Sequence, residues 1–317
     1  MADRARPGLV DVDDVVRCAE RLALVLEAGL GWQAATGHVD AAVLDPRVRS
    51  TPRAARGRAG LLVAVEVSLG LGAPAAEVLR CAADGARLEE EASRQRDAAV
   101  AGPLSSARIV GALPLAGPLL AALLGVDALG VLIGTQWGRA CLVAGLALLA
   151  LSWWWSRRLV AVAASAAGAG RTDVDDATVC GLLAAVLAAG TGTASALRGV
   201  AAGLARVPGA DPAGRAQRLR VLADGLDVGD LRLVDVGPAL QPLLEAVAFS
   251  TATGTPAGRS LRVAAVEVRR ETDAAARAAT ARLAARLVLP LGSAALPGFL
   301  LLGIAPVVVR LLGTGLG

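Results

Sequence analysis

Two segments of the chain repeat one another: Gly72-Ala-Pro-Ala-Ala-Glu-Val-Leu79 running on to Arg87, and Gly254-Thr-Pro-Ala-Gly-Arg-Ser-Leu261 running on to Arg269. In each, a glycine suited to end one helix is followed two residues later by a proline, Pro74 or Pro256, suited to the first turn of the next. Each copy continues through charged residues into an uncharged apolar stretch opening with Leu-Pro-Leu, at Leu113 and at Leu289. Upstream lies a related Ala-rich segment, Leu22-Ala-Leu-Val-Leu-Glu-Ala-Gly29-Leu-Gly31 in the first half and Leu183-Ala-Ala-Val-Leu-Ala-Ala-Gly190-Thr-Gly192 in the second. Recurrence of order and spacing together reads as a duplicated unit. The expected fold is all-α: a polytopic membrane protein with two repeated cytoplasmic helical-bundle modules and about three transmembrane helices.

Composition agrees with a chain that is part membrane and part not. Hydrophobic residues make up 55% of it and mean hydropathy is +0.58, above an ordinary soluble domain, while 19% charged residues is too many for a protein wholly inside lipid. There is no Lys, Asn or Tyr, and every basic residue is Arg, which suggests a GC-rich genome. The formal net charge of +4 is spread over helical segments, so no nucleic-acid footprint is expected. Cys18, Cys81, Cys141 and Cys180 stand too far apart for a zinc or redox motif and read as small buried apolar side chains. Met1 to Asp14 is charged and lacks a central apolar run, so a cytoplasmic N-terminus is expected in place of a signal peptide.

The hydrophobic pattern divides the chain into five parts. Residues 14–108 form a first cytoplasmic helical module: an amphipathic helix over Asp14 to Gly37, a proline-broken connection from His38 to Arg58, an apolar helix over Gly60 to Leu71, and a long helix from Pro74 to about Arg108. The first helix sets Arg17, Glu20, Arg21 and Glu27 against Val16, Ala19, Ala23, Leu24 and Leu26, and the long one carries helical ion pairs such as Glu90 with Arg94. Residues 109–156 hold two spans, Ile109 to Val126 and Ala140 to Ser156, with a short external turn between them. The second span ends in Trp153-Trp154-Trp155-Ser156-Arg157-Arg158, where indoles suit the headgroup zone and guanidinium groups the water beyond it.

Residues 157–176 are a cytoplasmic linker and 177–286 the second module. Within it Ala177 to Leu197 is uncharged, but its Ala, Gly and Thr contribute little to insertion, so it is expected to be a buried helix. Pro208 to Asp230 reads as polar and loop-rich, Val234 to Thr253 as an apolar helix, and Pro256 as the start of the second long helix. Residues 287–309 form the third span. Arginines flanking the spans place both modules in the cytoplasm and the tail after Arg310 outside.

Raw material for catalysis is sparse. The single histidine, His38, lacks an obvious carboxylate or cysteine partner, and no glycine-rich stretch ends in the Gly-Lys-Ser/Thr that cradles phosphate. Asp173-Val-Asp-Asp176 is the densest acidic cluster, and the N-cap and first turn of the following helix account for it. None of the three spans holds the ionisable group a carrier places at mid-membrane. No catalytic, cofactor-binding or metal-binding residue is expected.

The paired modules, built around Gly72, Pro74 and Leu79 and around Gly254, Pro256 and Leu261, resemble the cytoplasmic domains of the type II secretion system F family. Leu113-Pro-Leu-Ala-Gly117, Gly134-Thr-Gln-Trp-Gly138 and the Trp-Trp-Trp-Ser-Arg-Arg end resemble the tight-adherence (Tad) pilus membrane proteins of actinobacterial type. Secretion-branch members carry a Gly-Glu pair just before the module glycine; here Ser68-Leu69 and Ser250-Thr251 stand near it, which favours the pilus branch. The resemblance implies a non-catalytic platform of the bacterial inner membrane that couples a cytoplasmic ATPase to pilin assembly or export. It also implies contact with pilin subunits, membrane lipid, and a second platform protein or further copies of itself. Arg80, Arg87, Arg94, Arg262, Arg269 and Arg270 are the candidate contacts for an acidic ATPase surface. The alternative is a small-solute permease or a membrane enzyme of another type.

Overall fold

The computed structural model describes residues 9–45, 48–51, 54–72, 74–95, 97–98, 134, 136–166, 173–231, 235–290, 293 and 296–301. The architecture is all-helical, and among the described residues the only β feature is an isolated bridge between Val10 and Ser50. In chain order the helices are α1 (Val12–Glu27), α2 (Trp32–Thr36), α3 (Ala41–Leu44), α4 (Ala54–Leu71), α5 (75–95) and α6 (Gln136–Ala166). There follow α7 (Asp176–Ala188), α8 (Thr193–Arg206), α9 (Arg215–Val228), a 3-10 turn at Pro238–Leu240, α10 (Gln241–Thr253), α11 (Ala257–Pro290) and α12 (Leu296–Phe299). Two compact units result, one of residues 1–94 with 169–274, the other of residues 95–168 with 275–317.

Helix ends in the first unit follow from local chemistry. Asp11 caps α1 while Asp14 accepts from the Asp11 amide at 3.0 Å, a reciprocal box that satisfies amides the helix leaves unpaired. Gly29, at φ +84°, then turns the chain where a side chain would be strained, so the helix expected over Asp14 to Gly37 stops at Glu27. Val15, Val16, Ala19, Leu22 and Ala23 are buried, whereas Leu24 is 61% exposed and lies outside the core face. The same sequence of events recurs later. Asp175 caps α7 through the Thr178 amide (3.3 Å), Gly190 turns at φ +86°, and Gly192 starts α8 as Gly31 starts α2. Gly72 (φ +61°) separates α4 from α5, and Gly254 (φ +69°) separates α10 from α11.

Two sequence expectations are corrected here. The uncharged stretch Ala177 to Leu197 is buried, but as two helices, because Gly190 breaks it. The polar stretch from Pro208 to Asp230 contains α9, whose Ala216, Leu219, Leu222 and Ala223 lie on one buried face at helical spacing beneath its charges.

One continuous apolar core fills the first unit and draws on both halves of the sequence, with Leu22, Leu61 and Leu79 beside Leu183, Leu197, Leu204, Leu219, Leu243 and Leu261. Each such side chain contributes about 1.5–3 kcal/mol by leaving water. Glycines set the closest helix crossings. A Cβ on Gly203 of α8 would stand 2.7 Å from Val67 Cγ2 and 3.3 Å from the Val63 carbonyl of α4, and one on Gly57 would stand 2.7 Å from Ala86 Cβ of α5. Halves that were expected as separate modules are thus interleaved around shared side chains.

In the second unit, Gly298 of α12 sits over the Gly145 carbonyl and Leu149 of α6, where an added Cβ would be 3.4–3.5 Å away. The expected span over Ile109 to Val126 lies outside the described residues, as does most of the one expected over 287–309. The helix leading to the latter, α11, runs to Pro290, with Arg277, Arg282 and Arg286 exposed along it.

Candidate functional site

Within α6, Gly138–Leu159 is long and apolar enough to cross a membrane, the one such helix among the described residues. Its 22 residues correspond to about 33 Å of helix, matching a hydrocarbon core of about 30 Å. Val143, Leu146 and Leu151 are 66%, 52% and 48% exposed, unusual for a helix surrounded by water. At its C-terminal end the guanidinium of Arg157 lies 4.5 Å from the Trp153 ring centroid and that of Arg158 lies 5.4 Å from the Trp154 ring. Both are i,i+4 pairs, so two neighbouring columns each present an indole with a cation stacked on it. Trp153 and Trp154 remain more than half exposed, which leaves their apolar faces available to a surrounding medium.

The acidic run before α7 is a structural hub. Asp175 caps the helix; Asp173 and Asp176 flank Arg215, which is 8% exposed. Arg215 Nε donates to Asp176 Oδ1 at 2.5 Å, and its Nη1 faces Asp173 Oδ2 at 3.9 Å. Burial pulls this guanidinium down, but the hydrogen bond to Asp176 and the charges of Asp176, Asp173 and Asp211 outweigh it, so its pKa is raised. Arg56 of α4 donates to Glu89 of α5 at 2.8 Å and approaches Asp173 at 4.0 Å, while Arg269 of α11 reaches Asp175 at 3.6 Å. Four helices from both halves of the sequence therefore meet at one short acidic segment.

A second buried guanidinium, Arg58, spends its donors on backbone. It bonds the carbonyls of Val43 (2.9 Å), Ala42 (3.5 Å), Asp45 and Val48, closing the C-terminal end of α3. Burial lowers its pKa, opposed by the charge of Asp45. Neither Arg58 nor Arg215 was singled out from sequence. For Arg58 the signal was its place at the edge of the apolar run that fills the rest of α4; for Arg215 the only hint was Asp211, four residues earlier, which caps α9 by accepting from the Arg215 and Ala216 amides at 2.7 and 2.8 Å.

The six arginines expected to meet a partner are all paired within the protein. Arg80 pairs with Glu27, Arg87 with Glu20, Arg94 with Glu90 at 2.9 Å, Arg262 with Glu77 at 3.2 Å, Arg269 with Asp175, and Arg270 with Glu267 at 3.9 Å. Arg270 is the most open, with 75% of its side chain exposed, whereas Arg269 is 21% exposed and belongs to the hub. They do not form one patch by mutual contact. Of the module residues, Leu79 and Leu261 are fully buried, and Gly72 and Gly254 supply left-handed turns two residues before Pro74 and Pro256.

Cys18 and Cys180 are buried, and removal from water raises their thiols to about 12 in each case; Cys81, partly buried, is raised to about 11. His38 is exposed and borders a shallow apolar hollow with Leu24, Val25 and Leu30. No protein-family model, curated protein or solved structure matches the chain.

Proposed function

We propose that this chain is a non-catalytic platform of the bacterial inner membrane, similar to the type II secretion F family and its Tad-pilus branch. In this reading it couples a cytoplasmic ATPase to the assembly or export of pilin subunits. The observation that carries the proposal is a frame found in both halves, an Asp-capped helix ended by a left-handed glycine and, after several intervening helices, a further left-handed glycine that leads into a Pro-started long helix. The frame runs through Asp11, Gly29, Gly72 and α5 in the first half, and through Asp175, Gly190, Gly254 and α11 in the second. The intervening part differs, with α2 to α4 in the first half and α8 to α10, a 3-10 turn and left-handed Gly209, Gly214, Gly229 and Gly237 in the second. The shared frame supports duplication of one unit, the feature on which the family resemblance rests.

The protein crosses the membrane three times, at 109–126, within α6 and at 287–309, with its helical unit in the cytoplasm and its tail outside. The Trp-Arg columns at the end of α6 support this orientation, since cations favour the cytoplasmic edge of a span. In this reading a push from the ATPase on the cytoplasmic helices is passed to the spans. Copurification with a pilus or secretion ATPase of the same cell tests the coupling. Arg270→Glu is the variant of choice, because its exposure lets the charge change without disturbing the hub; weaker retention, more so at high salt, is expected. Undiminished copurification in Arg270→Glu together with Arg94→Glu assigns the contact to another surface, and absence of any copurification removes the coupling role.

A further inference from the structure

A cavity of about 560 Å³ opens between the C-terminal end of α7 and the first turns of α8 and α11. Its lining includes Ala188, Thr191, Thr193, Gly258, Arg259 and Arg262. When Gly29 is set on Gly190 and Gly72 on Gly254, the residues at the same places in the first half are Glu27, Leu30, Trp32, Ala76, Glu77 and Arg80. There Glu27 forms an ion pair with Arg80 and Trp32 packs against the core, while Leu30 is 41% exposed. In the second half Glu has become Ala, Leu and Trp have both become Thr, and Ala has become Gly. The cavity is therefore walled by smaller side chains than those at the same places in the first half.

Charge changes in the same direction. The carboxylate of Glu27 has no counterpart at Ala188, and Arg259 stands where the first half has Glu77. Arg259 is exposed and forms no ion pair with the described residues, and Arg262 turns outward to Glu77 of α5 with 61% of its side chain exposed. Gly192, which begins α8 on the cavity wall, offers no side-chain acceptor to the first amides of that helix.

We propose that this cavity is a docking site for an acidic segment of a partner protein, presenting one carboxylate beside an aromatic or branched apolar side chain. The carboxylate takes the role Glu27 has in the first half and meets Arg259 and Arg262; the apolar group takes the place of Trp32, against Leu187 and Pro256. The inference rests on the correspondence of the two halves and is independent of the platform role.

The probe is the chain's own first-half segment, the peptide acetyl-Leu-Glu-Ala-Gly-Leu-Gly-Trp-amide, titrated calorimetrically into the full-length protein in detergent at low salt. Saturable binding is expected, weakened about tenfold when Gln replaces Glu in the peptide or when the protein carries Arg259→Ala. Ala188→Glu supplies the carboxylate in cis and should abolish binding, with helicity and thermal midpoint retained. Thr193→Trp fills the same space without touching either arginine and should also block the peptide, so a folding defect in one variant does not decide the outcome. No binding by the unmodified protein, equal binding of the Glu and Gln peptides, or undiminished binding by both filling variants overturns the proposal.

Discussion

Arg215→Met removes the guanidinium at the centre of the acidic hub while keeping much of its apolar stem. Lost directly is a 2.5 Å charge-assisted hydrogen bond to Asp176, worth about 1.5–3 kcal/mol. Asp173 and Asp176 are also left facing one another, with only 17% and 15% of their side chains exposed, and Asp173 keeps only the 4.0 Å approach of Arg56. Stranding one partner of a buried ion pair costs about 3–5 kcal/mol, and the residual water contact of these carboxylates puts the expected loss near the lower end, about 3 kcal/mol. For a compact unit of this size about 1 kcal/mol moves the thermal midpoint by roughly 2–4 °C, so a drop of about 6–12 °C is expected by far-UV circular dichroism in detergent. Arg198→Met is the control: Arg198 also pairs with two carboxylates, Asp224 and Asp227, but at the open surface. If the two variants lower the midpoint equally, the hub is not a buried electrostatic keystone and the argument from burial is wrong.

Three further outcomes follow from the same structure. Cys18, Cys81 and Cys180 hold their protons in the folded state up to about 12, 11 and 12, against an ordinary 9.0, so the unfolded chain releases protons first; the stability these thiols contribute is constant below about pH 8.5 and is lost as pH rises from 9 towards 11. With no Lys or Tyr to titrate in that window, thermal midpoints against pH read the thiols directly, and the triple Cys→Ala variant should lose most of the slope. Gly203→Val should push α8 off α4, because its Cβ alone falls 2.7 Å from Val67; a thermal midpoint unchanged from the parent would show that the crossing is looser than described. Fluorescence of Trp153 to Trp155 should be quenched by lipids brominated near the headgroup more than by lipids brominated at the chain ends, and the reverse order would place this end of α6 at the wrong depth.

Helix class, the cap of α7 in the Asp173 to Asp176 run and the apolar span of α6 were legible because each is written in a local pattern: a 3.6-residue period, acidic residues before an apolar run, a long stretch without charge. The Glu90–Arg94 pair is of the same kind, and it forms at 2.9 Å. Where the reading erred, the local signal pointed the wrong way. Helix α9 carries enough Arg and Asp to look like a loop, and only the spacing of Ala216, Leu219, Leu222 and Ala223 betrays its buried face. Gly190 sits in an uninterrupted uncharged stretch, and its left-handed turn is recognisable only beside Gly29. Interleaving of the two halves had no signal at all, since a contact such as Gly203 on Val67 depends on residues 136 positions apart that carry no mark of their partner. The arginines fared likewise: sequence marks them as cations, but the carboxylate each one meets is chosen by the fold.

The central claim, that this chain is an assembly platform without which pilin cannot leave the membrane, is tested most directly by deleting the gene and imaging the cell surface by electron microscopy while measuring pilin in the membrane fraction. The account predicts bald cells with pilin still made and retained in the membrane, and restoration of pili by the wild-type gene supplied in trans. Normal pili on the deletion strain, with no second copy of the gene to compensate, would contradict it.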